Sequence, residues 1–148
     1  MFKAKMHPQA LAEAAGAAMF ARDAASQAMG MKLAEIRPGY ARMTMPVRPD
    51  MLNGHQTCHG GYIFALADSA FAFACNSHNH TTVGAGCTID YLAPGRPDDL
   101  LTAEAIERTL VGKTGIYDVT VCNQDGKMIA TFRGKSHRVA GEVVSTHS

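Results

Sequence analysis

The sequence predicts an α+β domain in which one long buried helix is wrapped by a curved antiparallel sheet. Three observations lead there. Twelve of the fourteen residues from Tyr62 to Cys75 are apolar, so the helix they form has no polar face and needs cover on most sides. Short β-type runs bounded by turn residues flank it, two before and four after. Finally, 148 residues with 47% hydrophobic and 18% charged side chains suit a single domain, residues 1–148, with a sizeable core.

Each element has its own signal. Pro8 fits a first helical turn, and Gln9 to Met29 is dominated by Ala, with Leu11, Met19 and Phe20 interspersed. That composition predicts an N-terminal helix within residues 1–30, stopped by Gly30. Lys32 to Ile36 and Tyr40 to Val47 read as strands around an Arg37-Pro38-Gly39 turn, although the alternation in Tyr40 to Met45 is imperfect. Arg48 to Cys58 is a loop punctuated by Pro49 and Asn53-Gly54. The apolar helix follows and ends at Asn76-Ser77. Gly84 to Leu92, Leu100 to Leu110, Gly115 to Cys122 and Lys127 to Arg138 are the later strands, and residues 139–148 form a loose tail. One sheet curled around the helix, with a second copy covering the remaining face, is the hotdog architecture.

Composition narrows the function. A formal charge of +1 gives no overall attraction to nucleic acid or to an anionic membrane. The four cysteines, at 58, 75, 87 and 122, form no C-x-x-C pair, so neither a zinc ribbon nor a disulfide framework is indicated. The alanine-rich start is interrupted by Glu13 and Arg22 and lacks the apolar core of a signal peptide or membrane span. A soluble, cytoplasmic protein is expected.

The chemistry concentrates around HGGYIFALADSAFAFAC. Asp68 has Phe64, Ala65, Phe71 and Ala72 as its helical neighbours, none of which can pair with a carboxylate. A solvated edge or a capping role would account for an ordinary helical Asp. Apolar flanks on both sides instead suit a desolvated base or nucleophile. His59-Gly60-Gly61 is either a plain glycine-rich helix entry or a set of backbone donors aimed at a developing oxyanion. Asp68 lies eight residues beyond Gly60, about 12 Å along a helix. If both act on one carbon, they come from different chains of an oligomer with composite sites.

The run Met51-Leu52-Asn53-Gly54-His55-Gln56-Thr57-Cys58-His59-Gly60-Gly61, followed by Leu66-Ala67-Asp68-Ser69-Ala70-Phe71-Ala72 and Ala74-Cys75-Asn76-Ser77, closely resembles the PaaI-type thioesterases. These are hotdog-fold acyl-CoA hydrolases linked to phenylacetate degradation. Cys87 to Gly95, Gly115 to Asp118 and Phe132 to Arg138 continue the resemblance, which spans roughly Arg48 to Gly141. It implies Asp68 as nucleophile or as the base that activates water, and Gly60, with Gly61, as the N–H donors to the thioester carbonyl. It further implies Asn53 as a positioning group, His59 as a buttress of the loop, and Ser69 at a small-hydroxyl position. Relatives can hold the water with a Ser or Thr in the strand after the helix, whereas Gly84-Ala85-Gly86 has no hydroxyl. Attack by water and attack by Asp68 through an anhydride both stay open.

The substrate that the resemblance implies is an acyl-CoA, a phenylacetyl or ring-hydroxylated phenylacetyl ester, with coenzyme A entering as part of the substrate and no separate cofactor. The assembly expected is a homo-oligomer, a dimer of dimers. Arg133, Gly134, Lys135 and Ser136 are the substrate-binding candidates, because Arg133, Lys135 and His137 alternate onto one strand face that could hold phosphates. A charged edge strand that resists aggregation explains the same pattern, and Lys113 and Arg138 are weaker candidates.

Rival chemistry is less well supported. His55 and His59 are four apart, but glycines on both sides deny them a helical metal-binding face, so no metal is expected. Cys58 and His59 are adjacent and badly placed as nucleophile and base. His78 and His80 are expected exposed past the helix end, and Tyr91, Phe71 and Phe73 are expected in the core rather than as ligand stackers, with the floor of an acyl pocket as the alternative for one of them. A hotdog hydratase would want a catalytic His, for which His59 is the candidate. A non-catalytic acyl-CoA-binding module would have no need of Asp68.

Overall fold

The computed structural model describes residues 6–146. Helices α1 (Pro8–Arg22) and α2 (Ala24–Ala28) come first, then β1 (Lys32–Arg37) and β2 (Tyr40–Pro46). The central helix α3 (Gly60–Asn76) is followed by β3 (His80–Tyr91), β4 (Leu100–Val111), β5 (Thr114–Cys122) and β6 (Met128–Glu142). The six strands form one antiparallel sheet in the order β1-β2-β4-β5-β6-β3. With α3 laid across its concave face, this is the hotdog fold.

Apolar content explains the packing. Leu66, Ala67, Ala70, Phe71, Phe73 and Ala74 of α3 are all at most 1% exposed, and burying a side chain the size of Phe71 contributes about 1.5–3 kcal/mol. The sheet presents the matching side: β5 alternates strictly, with Tyr117, Val119 and Val121 inward, and Ala41, Met43 and Met45 of β2 do the same. Alternation in β2 is therefore clean from Ala41 onward, and Arg42 and Thr44 face outward. Phe71 is the hub, its ring 5.6 Å from that of Tyr117 and 5.8 Å from that of Phe132.

Two elements differ from expectation. The single helix expected from Gln9 to Met29 breaks at Asp23, whose carboxylate caps α2 by accepting the Ser26 N–H at 3.0 Å. A side chain that bonds its own backbone three residues on competes with helix continuation, and alanine-rich propensity on both sides does not override it. Ala12, Ala15 and Gly16 of α1 are buried; a Cβ at Gly16 would lie 3.0 Å from Leu33 and Ile36, so α1 closes down tightly on β1. Residues 1–5 of the expected N-terminal segment lie outside the described residues.

The second difference is the tail. β6 runs to Glu142, and Asn79 then holds the chain in both directions. Its amide donates to the Val144 carbonyl at 2.9 Å and its Oδ1 accepts the Val144 N–H at 2.8 Å. Residues 139–146 are thus tied down rather than loose, because a buried side chain pairs with their backbone; residues 147–148 lie outside the described residues. β3 also begins four residues earlier than expected. No helix among the described residues is long and apolar enough to cross a membrane.

Candidate active site

The helix entry separates the two glycines. His59 caps α3, and its Nδ1 accepts the Gly61 N–H at 2.9 Å. Gly61 is therefore committed to its neighbour's ring, whereas the Gly60 N–H donates to nothing among the described residues. The carbonyl of Gly60 accepts the Tyr91 hydroxyl at 3.0 Å. A Cβ on Gly60 would lie 3.2 Å from the Tyr91 ring, so this aromatic lies against the peptide that carries the free donor. A cavity of about 360 Å³ opens there, lined by Cys58, Gly60, Ile63, Tyr91 and residues 92–94.

Tyr91 is 51% exposed, not in the core as expected, while Phe71 and Phe73 are buried as expected. The strand parity of Tyr91 matches that of half-buried Ile89, but at the strand end its ring reaches the helix terminus instead of the core. Periodicity alone could not show this.

Asn53 belongs to the loop that precedes the glycines. Its Oδ1 accepts the His55 N–H at 2.9 Å, the Thr57 N–H at 3.2 Å and the Thr57 hydroxyl at 3.3 Å. The oxygen is thereby spent on shaping the turn, and only the amide N–H groups are left for a ligand. Cys58 is buried, and desolvation pushes its thiol up to about 11, which removes it as a thiolate nucleophile at neutral pH. Among the described residues no three His, Cys, Asp or Glu side chains gather as a metal set.

Asp68 lies on the face of α3 turned away from the sheet. It makes no hydrogen bond or ion pair among the described residues and lines a second cavity of about 290 Å³, with Asp23, Ser26, Met29, Met31 and Ser69. In the single chain the carboxyl is exposed, yet desolvation raises its pKa. The two observations agree if water enters through the cavity mouth while apolar neighbours exclude it from the other sides. The Ser69 hydroxyl sits 3.2 Å from that of Ser26. Asp23 and Ser26 were missed in the sequence, although Asp is a preferred residue at a helix N-cap.

The phosphate-binding candidates divide. Arg133 donates from Nε and Nη2 to Asp118 at 2.7 and 3.0 Å, and Arg108 donates to the same carboxylate at 2.8 Å. Gly134 and Ser136 lie on the inner face; a Cβ on Gly134 would come within 2.8 Å of the Phe71 ring, and Ser136 is 1% exposed. Both placements follow from the pleat, which sends alternate residues to the core; Ser136 nonetheless lines a cavity with Lys113 and Arg138. Lys135 is exposed and carries no ion pair among the described residues. β6 lies between β5 and β3, so the edge-strand explanation for its charges does not hold.

A third cavity, of about 230 Å³, lies past the end of α3, where His80, Lys113 and Arg138 gather with Ser136 and Tyr117. His80 is exposed, but His78 is not free: its Nε2 is 2.8 Å from Glu107, which also accepts the Tyr117 hydroxyl.

Comparison with known proteins bears on this geometry. Residues 55–130 match the family model for the thioesterase superfamily. The chain is 49% identical over 126 residues to the acyl-coenzyme A thioesterase PaaI of Escherichia coli K12, covering 85% of this chain and 90% of that one. The solved E. coli PaaI protein, from the phenylacetic acid degradation operon, superposes with a TM-score of 0.90 over 92% of this chain and 99% of that chain. A Streptococcus mutans UA159 protein solved with acetyl-CoA bound is 26% identical, with a TM-score of 0.73 over 76% of this chain and 90% of its own. The chain belongs to the thioesterase superfamily, as a hotdog-fold protein of the PaaI type.

Proposed function

We propose that the protein hydrolyses an acyl-CoA thioester to free acid and coenzyme A at a site shared between two chains. The observation that carries this reading is the pairing of an unpartnered carboxylate, Asp68, with a helix N-terminus that keeps one free donor, Gly60. The two line separate cavities of one chain and stand about 12 Å apart along α3, too far for one carbonyl. A second copy that brings its Gly60 to this Asp68 completes the constellation. The Gly60 N–H and the positive helix end then polarise the thioester carbonyl, and Asp68 attacks the carbon or deprotonates water. His59 fixes the helix entry through Nδ1, so a hydratase that used this ring would have only Nε2 as its acid or base.

A phenylacetyl or ring-hydroxylated phenylacetyl group is the acyl chain we favour, on the strength of the likeness to the E. coli protein. Lys135, and Lys113 with Arg138 at the far end of α3, are the cations left to meet the coenzyme A phosphates. Arg133 is held by Asp118.

Subunit mixing tests the shared site. Asp68→Asn removes the carboxylate. Gly60→Pro removes the N–H at a first helical position that accepts proline, with Tyr91 yielding slightly. Each variant alone is expected to be inactive. Mixed dimers contain one intact site, so random mixing should restore about a quarter of the native activity. Absence of recovery despite subunit exchange would refute the shared arrangement, and full activity in Asp68→Asn would refute the thioesterase mechanism itself.

A further inference from the structure

We propose that Ser69 is the group that orients the hydrolytic water for Asp68, its own proton being fixed by a relay through Ser26 to Asp23. This rests on the reading of Asp68 given above and decides between its two modes of attack in favour of water.

The relay follows from counting protons. The Ser26 hydroxyl lies 2.7 Å from Asp23 Oδ2, and an ionised carboxylate only accepts. Ser26 therefore gives its single proton to Asp23. The Ser26–Ser69 contact, at 3.2 Å, must then have Ser69 as donor. With its proton committed, Ser69 can offer the cavity that it shares with Asp68 only a lone pair. A lone pair and a carboxylate that line one cavity are a pair of acceptors, and water is the small nucleophile with two protons to give.

The surroundings favour the same division of labour. Ser26 is 2% exposed, so bulk solvent does not compete for it, and Asp23 is further fixed by the Ser26 N–H at 3.0 Å. Gly84-Ala85-Gly86, where a strand hydroxyl could have held the water, lies at a bulge of the outer strand β3 with no hydroxyl to give. In the step proposed, the water donates one hydrogen bond to Ser69 and transfers its other proton to Asp68 as its oxygen bonds to the thioester carbon. The negative charge collects on the carbonyl oxygen, at the Gly60 N–H that the second copy brings. Collapse breaks the C–S bond, and the leaving thiolate takes the proton from Asp68, giving the carboxylic acid and the free thiol.

Steady-state kinetics on phenylacetyl-CoA, with thermal unfolding alongside, test the assignment. Ser69→Ala should lower kcat roughly tenfold to a hundredfold while KM stays within about twofold. Ser69→Thr, which keeps the hydroxyl, should recover most of the rate. Ser26→Ala breaks the same helix-to-helix contact and the bond to Asp23 as well, but leaves the Ser69 oxygen, so it should lower the melting temperature at least as far as Ser69→Ala and yet lose distinctly less kcat. Equal kcat losses in Ser26→Ala and Ser69→Ala, or no loss in Ser69→Ala while Asp68→Asn is inactive, would overturn the role of Ser69 and leave that of Asp68 standing. Single turnover in ¹⁸O-water should place the label in the released acid and none in Asp68. Label found in Asp68 would show an anhydride and overturn the water mechanism.

Discussion

The His59 ring accepts the Gly61 N–H at 2.9 Å, and that single bond makes two adjacent glycines chemically unlike. One glycine donor is consumed in starting the helix. The other, on Gly60, donates to nothing among the described residues.

Replacing His59 should therefore act on stability first. His59→Ala removes the cap of α3, at an expected cost of about 1 kcal/mol, read as a melting temperature lower by a few degrees. His59→Asn can cap in the same way and should restore both stability and most of the activity. An inactive but fully stable His59→Asn would instead mean that the imidazole takes part in the reaction.

Asp68→Asn should abolish hydrolysis without weakening the fold. Desolvation holds the Asp68 carboxyl above its ordinary value of 3.8, so the folded state favours the protonated form. At neutral pH the ionised group therefore opposes folding, and the neutral amide should leave the melting temperature unchanged or raise it. The native enzyme should lose activity as pH falls through that raised value, since only the ionised carboxylate acts as a base. A clear drop in stability for Asp68→Asn would contradict the absence of partners seen for this group.

Tyr91→Phe tests the support of the free donor. The hydroxyl lies 3.0 Å from the Gly60 carbonyl on an exposed side chain. Its loss should change stability by no more than about 1 kcal/mol. A several-fold fall in kcat with that small change would identify Tyr91 as a positioning residue for Gly60. An unchanged kcat would reduce it to a cavity wall.

Asp118 should govern part of the acid sensitivity. Hydrogen bonds from Arg133, then from Arg108, hold it at about 2. A carboxyl lowered in this way stabilises the fold fully above its unfolded value near 4, and the contribution disappears as pH falls toward 2. Unfolding measured across that window should show a shallower pH dependence in Asp118→Asn. Both arginines are exposed, so the change at neutral pH should be small.

Gly134→Ala should be the most damaging single methyl on β6. The added carbon would meet the Phe71 ring at 2.8 Å, and overpacking a filled core costs about 1–3 kcal/mol. Lys135→Ala, one residue on and exposed, should be neutral for stability. If it weakens binding of coenzyme A, measured by calorimetry, the outward basic face touches the ligand; unchanged affinity would move that role to Lys113 and Arg138.

Much of this protein was legible along the chain. The buried helix could be read from the apolar run that only Asp68 and Ser69 interrupt, and the six strands from β-type runs between turn residues, because both patterns reflect local geometry and burial. His59, Gly60 and Asp68 could be singled out as candidates because their chemistry is placed where packing has no use for it. Other features depend on residues far apart in sequence and were open only to the tertiary structure. The ion pair of Arg133 with Asp118 forms across a strand pair, and Gly134 needed Phe71 to be recognised as core. Tyr91 became a neighbour of Gly60 only when β3 laid its end against the helix entry. Ser69 met the Ser26 hydroxyl because α2 brings it there across forty-three residues. Local sequence determines which backbone each segment prefers and which side chains seek the interior; which polar groups meet is settled by packing, since a hydrogen bond depends on distances that no spacing along the chain encodes.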